Sequence, residues 1–103
     1  MHPDVFDALA NPIRRDILDL LRAGPKPVKL LASGFARGRP AISEHLKVLR
    51  DAGLVREEPR GRENYYHLDA GPLQAASEWL AIYETFWRLR LSNLSTLLDE
   101  ELP

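Results

Sequence analysis

Apolar positions recur along the chain with helical spacing, interrupted once by a stretch that alternates. Val5, Phe6 and Leu9 predict a short helix from about Pro3 to Ala10. It should stop where Asn11 precedes Pro12, because proline disfavours helical geometry in the residue before it. Asn11 can then cap a second helix with Pro12 at its first position, placing Ile13, Ile17, Leu20 and Leu21 on one face. Gly24, Pro25 and Pro27 end that helix. A third, short helix is predicted from about Val28 to Ser33, contributing Leu30, Leu31 and the later Phe35, and Gly34 and Gly38 bracket a tight turn. The fourth helix begins at Arg39 and is stopped by Gly53; Ile42, Leu46 and Leu49 fall within about 60° of one another while Pro40, Ser43, Glu44 and Lys47 face away.

After Gly53 the pattern changes. LVREEP and ENYYHL read as two strands joined by the basic loop Arg60–Gly61–Arg62. Helical spacing then returns from about Pro72 to Asp99 and carries two apolar stripes. Leu73, Ala76, Leu80, Tyr83, Trp87, Leu91, Leu94 and Leu98 form one, and Trp79, Ile82, Phe86, Leu89 and Leu97 the other. A helix apolar over so wide an arc needs two burial partners. The economical arrangement is its own domain on one side and a symmetry mate on the other, the alternative being a central core helix in a monomer.

Composition narrows the class. At 103 residues the chain is long enough for one domain with one small core. It has no cysteine, which excludes disulfide scaffolds, zinc fingers and iron–sulfur clusters. No apolar run approaches the ~20 residues of a membrane span, and MHPDVFDALANP lacks the features of a secretory signal, so a cytoplasmic protein is expected. The net charge of −1 conceals a polarity. Residues 1–36 hold five basic and four acidic side chains, residues 37–62 seven and four, and residues 63–103 two and seven. A basic middle and an acidic tail suit a chain that presents its middle to a polyanion, or equally an ordinary mixed surface.

Helix, helix, tight turn, helix and basic hairpin is the order of a winged helix-turn-helix: a mainly α fold of five helices with a two-stranded antiparallel wing. The boundaries are about 28–53 for the helix-turn-helix, 54–68 for the wing and 72–99 for a dimerisation helix, within one domain spanning 1–103. The recognition helix would begin at Arg39, whose forked donors match guanine O6 and N7. Ser43 and Glu44 can reach base edges, Lys47 can pair a phosphate, and Arg60 and Arg62 can enter a minor groove or hold its phosphates. The competing reading is a solvated helix face beside a hairpin whose charges protect its own edge, in a winged helix that serves only for dimerisation or protein interaction. An enzyme finds no support, for the chain has no phosphate loop, nucleophile elbow or His-Glu-x-x-His motif.

Three stretches, FDALANPIRRDILDLL at 6–21, AISEHLKVLRDAGLV at 41–55 and GRENYYHLD at 61–69, resemble the ArsR/SmtB family of bacterial transcriptional regulators. The resemblance extends from about residue 5 to 98. It implies a repressor that binds an imperfect inverted repeat of double-stranded DNA as a homodimer built from the first and last helices. Phe6 thereby joins Leu80, Tyr83, Trp87, Leu91, Leu94 and Leu98 at the dimer interface. By position, Arg39, Pro40, Ser43, Glu44 and Lys47 match the recognition face and Arg60 and Arg62 the wing tip. His45 matches a common family residue, but its helical angle puts it at the rim of the core, where a packed, hydrogen-bonded histidine is expected rather than a base reader.

The chain departs from the family pattern in three places. Gly38 stands where many members carry a Ser or Thr cap, Pro27 and Lys29 stand where metal sensors carry a Cys-x-Cys pair, and residues 70–103 contain no histidine. The last helix instead looks like that of metal-independent members, so no metal and no cofactor are expected. His2, His45 and His67 are too scattered to suggest a cluster. His2 with the terminal amine offers at most a weak Ni(II) or Cu(II) site, against plain solvent exposure. The sequence names no effector.

Overall fold

The structure, a computed structural model, describes residues 4–35 and 38–101. Its elements are α1 (Val5–Leu9), α2 (Pro12–Leu21), β1 (Lys26–Pro27), α3 (Val28–Ser33), α4 (Arg39–Asp51), β2 (Val55–Arg60), β3 (Glu63–Leu68) and α5 (Leu73–Glu101). The helix starts follow local chemistry. Asp4 caps α1 by accepting from the Asp7 N–H at 2.8 Å, and Asn11 Oδ1 accepts from the Ile13 and Arg14 N–H groups at 2.8 and 3.2 Å. Pro12 then supplies a preset φ at the first turn of α2. Gly38 precedes α4 without a side-chain cap, as its lack of a hydroxyl or carboxylate dictates.

One apolar cluster joins α2, α3, α4 and the base of the wing, with Ile17, Leu31, Ile42, Leu46, Leu49 and Leu54 its largest fully buried side chains. Burying each such side chain contributes about 1.5–3 kcal/mol, so this cluster holds the helix-turn-helix together. Gly53, at φ +78°, turns the chain out of α4 and into β2. The Asp69 N–H closes the other end of the wing on the Leu54 carbonyl at 2.8 Å.

The wing pairs β2 with β3 antiparallel, from Val55 opposite Leu68 to Arg60 opposite Glu63. Gly61 and Arg62 form its tip. A positive φ of 60° at Gly61, with none at Arg62, is the pattern of a type II′ turn, whose twist matches the strands it joins. The two expected strands are joined by a third: β1 pairs with β3 through Lys26–Tyr66 and Pro27–Tyr65, giving the sheet order β1-β3-β2. Two residues show no alternation, and prolines at 25 and 27 read as a break. On an edge strand the missing N–H of Pro27 costs no interior ladder bond.

The last helix differs from expectation in what covers it. Leu73 and Ala76 pack on the core, and Trp79 meets Phe6 of α1 edge-on at 5.6 Å between ring centres. Beyond that, every side chain from Ser77 to Leu98 is exposed, those of both stripes included. The domain thus covers only the beginning of one side of α5. At 1.5 Å per residue the 29 residues run about 43 Å, which carries the helix past the domain and stretches the molecule to 67 × 30 × 21 Å. No helix among the described residues is long and apolar enough to cross a membrane.

Candidate nucleic-acid interface

The side chains that make up the candidate face are set by the burial of their neighbours. Because Ile42, Leu46 and Leu49 are drawn completely into the core, Arg39, Pro40, Ser43, Glu44 and Lys47 are left exposed on the far side of α4. Arg39 and Pro40 occupy its first turn. This face offers a forked cation, a hydroxyl, a carboxylate and an ammonium. In chemical terms these suit guanine, a mixed edge, a cytosine amine and a phosphate. Arg37 lies outside the described residues, as does the inner part of the turn between Gly34 and Gly38.

The wing is tied to α4 by charge. Arg50, in the last turn, donates Nη1 to Glu57 on β2, and Asn64 on β3 donates to the other Glu57 oxygen at 3.4 Å. That bond raises the Arg50 pKa above its ordinary value, so the guanidinium stays charged. Arg50 and Glu57 carry no signal in the hydrophobic pattern. Only their position on either side of the Gly53 turn brings opposite charges together.

At the wing tip the two candidate arginines differ. Arg62 is exposed in the turn. Arg60 is held: its Nε donates to Glu58 at 2.5 Å and its guanidinium carbon lies 4.5 Å above the Tyr65 ring centre, a cation–π contact. His67 Nε2 stands 3.1 Å from the same Glu58 oxygen. These two partners, His67 first and Arg60 second, pull the Glu58 pKa below the usual carboxylate value. Glu58, Arg60, Tyr65 and His67 share one face of the hairpin, as positions two apart on antiparallel strands must.

His45 is half-buried, with its Nδ1 3.3 Å from Nη1 of Arg14 on α2, as the sequence reading expected of a histidine at the rim of the core. The paired arginines of Asn-Pro-x-Arg-Arg prove to have local work. Arg14 donates Nε to the Ala8 carbonyl at 2.8 Å and Nη2 to the Asp7 carbonyl at 2.9 Å, and Arg15 donates to the Leu9 carbonyl at 2.6 Å. They satisfy the carbonyls that a helix as short as α1 leaves open at its C-terminus. Their placement just after a predicted helix end was the available signal. Among the described residues there is no group of three or more His, Cys, Asp or Glu side chains placed to hold a metal ion; His2 lies outside them.

Of the residues expected at a dimer interface, Phe6, Leu80, Tyr83, Trp87, Leu91, Leu94 and Leu98 are all at least 41% exposed. With Trp79 and Phe86 they form an aromatic and aliphatic surface running from α1 along α5. Trp79, Tyr83 and Phe86 follow one another at 4.9 and 6.4 Å between ring centres.

A recognition-type helix set against a buried core, with an arginine-tipped hairpin beside it, defines the chain as a winged helix-turn-helix regulator. A family profile described as a helix-turn-helix domain matches residues 9–58. The chain is 40% identical over 100 residues to the HTH-type transcriptional regulator Rv2034 of Mycobacterium tuberculosis, covering 96% of this chain and 91% of that protein. It is 36% identical over 77 residues to the transcriptional repressor SdpR of Bacillus subtilis, covering 75% of this chain and 86% of that one. Among solved structures, the homodimeric winged helix-turn-helix DNA-binding domain of a possible ArsR-family regulator from Mycobacterium bovis superposes with a TM-score of 0.61 at 30% identity, over 86% of this chain and 80% of that one. The chain belongs to the ArsR/SmtB family of transcriptional regulators.

Proposed function

We propose that the protein is a cytoplasmic, non-enzymatic repressor that binds an inverted-repeat operator in double-stranded DNA as a homodimer. The observation that carries this reading is the exposed set Arg39, Ser43, Glu44 and Lys47 on α4 with Arg62 at the neighbouring wing tip. Arg39, Pro40, Ser43 and Glu44 act at base edges and the adjoining backbone, and Lys47, Arg60 and Arg62 at phosphates. The dimer forms through Phe6, Leu80, Tyr83, Trp87, Leu91, Leu94 and Leu98. Their exposure in a single chain supports this, because a contiguous apolar surface of that length marks an interaction site, as does the homodimeric state of the Mycobacterium bovis relative.

The test is selection of bound sequences from random duplex DNA by the purified chain. An inverted repeat with half-site centres about one helical turn apart, roughly 34–36 Å, is the expected result. Affinity should fall steeply with salt, since each phosphate neutralised releases counterions. Binding that ignores salt, or selects no repeat, would leave the winged helix as a protein-interaction module.

A further inference from the structure

One side chain on α2 bridges two elements, α1 and α4, that the proposed function assigns to different tasks. Arg14, on α2, spends all three of its guanidinium nitrogens: Nε on the Ala8 carbonyl at 2.8 Å, Nη2 on the Asp7 carbonyl at 2.9 Å and Nη1 on His45 Nδ1 at 3.3 Å. The first two acceptors are the end of α1, which joins the apolar α5 surface through Phe6 and Trp79. The third is on α4, between the exposed Glu44 and the buried Leu46. A guanidinium has only donors, so His45 accepts at Nδ1. Arg14 itself is anchored at its backbone, where the Asn11 side chain accepts its N–H at 3.2 Å.

We propose that Arg14 is a positioning residue that fixes α4 relative to the dimer surface of α1 and α5, and so sets the half-site separation the dimer reads. This rests on the DNA-binding dimer proposed above. The planar fork makes the link stiff: three bonds in one plane define an orientation, which a single ammonium cannot. Its consequence is amplified by distance. Each recognition helix lies about 17 Å from the two-fold axis if half-sites are one turn apart. Loss of the link that lets the domain swing by about 10° about a pivot near that axis shifts it by about 3 Å, close to one base-pair step.

The experiment uses the full chain and a series of duplexes in which the spacer between half-sites varies by one and two base pairs either way, with an isolated half-site as reference. Two variants cut the link differently. Arg14→Lys keeps the charge and loses the fork, while His45→Phe removes the acceptor on α4 and leaves both bonds to α1 in place. Both should dimerise like wild type in sedimentation equilibrium. Both should bind the isolated half-site within about twofold of wild type and lose about tenfold on the optimal operator, with a flattened spacer profile. A sharp, wild-type spacer profile in both variants would overturn the proposal, as would equal losses on half-site and full operator. Should Arg14→Lys melt too early to measure, His45→Phe decides. A wild-type chain with no spacer preference at all would instead show that the dimeric DNA-binding reading has failed, and the proposal with it.

Discussion

Glu58 shares the wing with two further carboxylates, Glu57 and Glu63, and it holds Arg60, which the proposed function assigns to a phosphate. Glu58→Gln keeps the shape and removes the charge, so DNA affinity should rise about three- to tenfold at low salt and the salt dependence should steepen by about one counterion. A titration of the operator against salt reads both; a fall in affinity would mean that Arg60 acts from its held position. The same carboxylate, held first by His67 and then by Arg60, has a pH signature. Since the folded pKa of Glu58 lies below its ordinary value, its contribution to stability is present above that ordinary value and is lost as pH falls through the folded one. Glu58→Gln should accordingly flatten the acid limb of the stability curve in urea titrations. On α4, Lys47→Ala should shallow the salt slope by about one without altering sequence preference, whereas Arg39→Ala should relax preference at one base by ~1–3 kcal/mol if it pairs guanine. The exposed positions on α4 could be read from periodicity alone, because burial of every third or fourth residue dictates which others face out. The Arg50–Glu57 and Arg14–His45 contacts could not, because they join side chains that meet only after the elements have packed.

Helix starts and the hairpin were the most legible elements, since each is set by a local device: Asn11 before Pro12, Gly53 after α4, Gly61 in a two-residue turn. What escaped was β1, whose two residues acquire strand geometry only from the neighbouring β3. The extent to which α5 outruns its own domain escaped as well, since periodicity records a face but not what lies against it. The two glycines with modest positive φ should respond unequally to alanine. A Cβ on Gly61 meets nothing within 4 Å, so Gly61→Ala carries backbone strain alone, about 1–3 kcal/mol, because the first position of a type II′ turn lies outside the left-handed helical well. A Cβ on Gly53 would sit 3.4 Å from Pro72, an ordinary contact, so Gly53→Ala should cost the left-handed strain of ~1–2 kcal/mol and no more. Urea midpoints for the two variants measure this, and a neutral Gly53→Ala would contradict the left-handed turn.

At the scale of the whole molecule, assembly and DNA binding should fail together. Leu91→Glu places a carboxylate on the apolar face of α5, where a second copy would bury it unpaired. Sedimentation at tens of micromolar should then show a dimer for wild type and a monomer for the variant, with operator binding weakened in parallel. Zinc, cadmium or arsenite at stoichiometric levels should leave the operator complex intact, because soft ions seek thiolates and the chain has none. A tenfold loss of DNA affinity on metal addition, ~1.4 kcal/mol of coupling, would place the chain with the metal-responsive members.

The uncovered run from Ser77 to Leu98 makes the amount of protein present a variable in its own right. A helix without tertiary packing draws little stability from propensity, so in dilute solution the distal half of α5 should fray and then wind up as two chains meet. Helicity measured by circular dichroism should therefore rise with protein concentration across the dimerisation range, and a protease should cut the dilute chain within α5 while sparing the concentrated one. Folding of this segment would then act as a dosage gauge: newly made chains below the threshold are open to degradation, and those above it shelter one another.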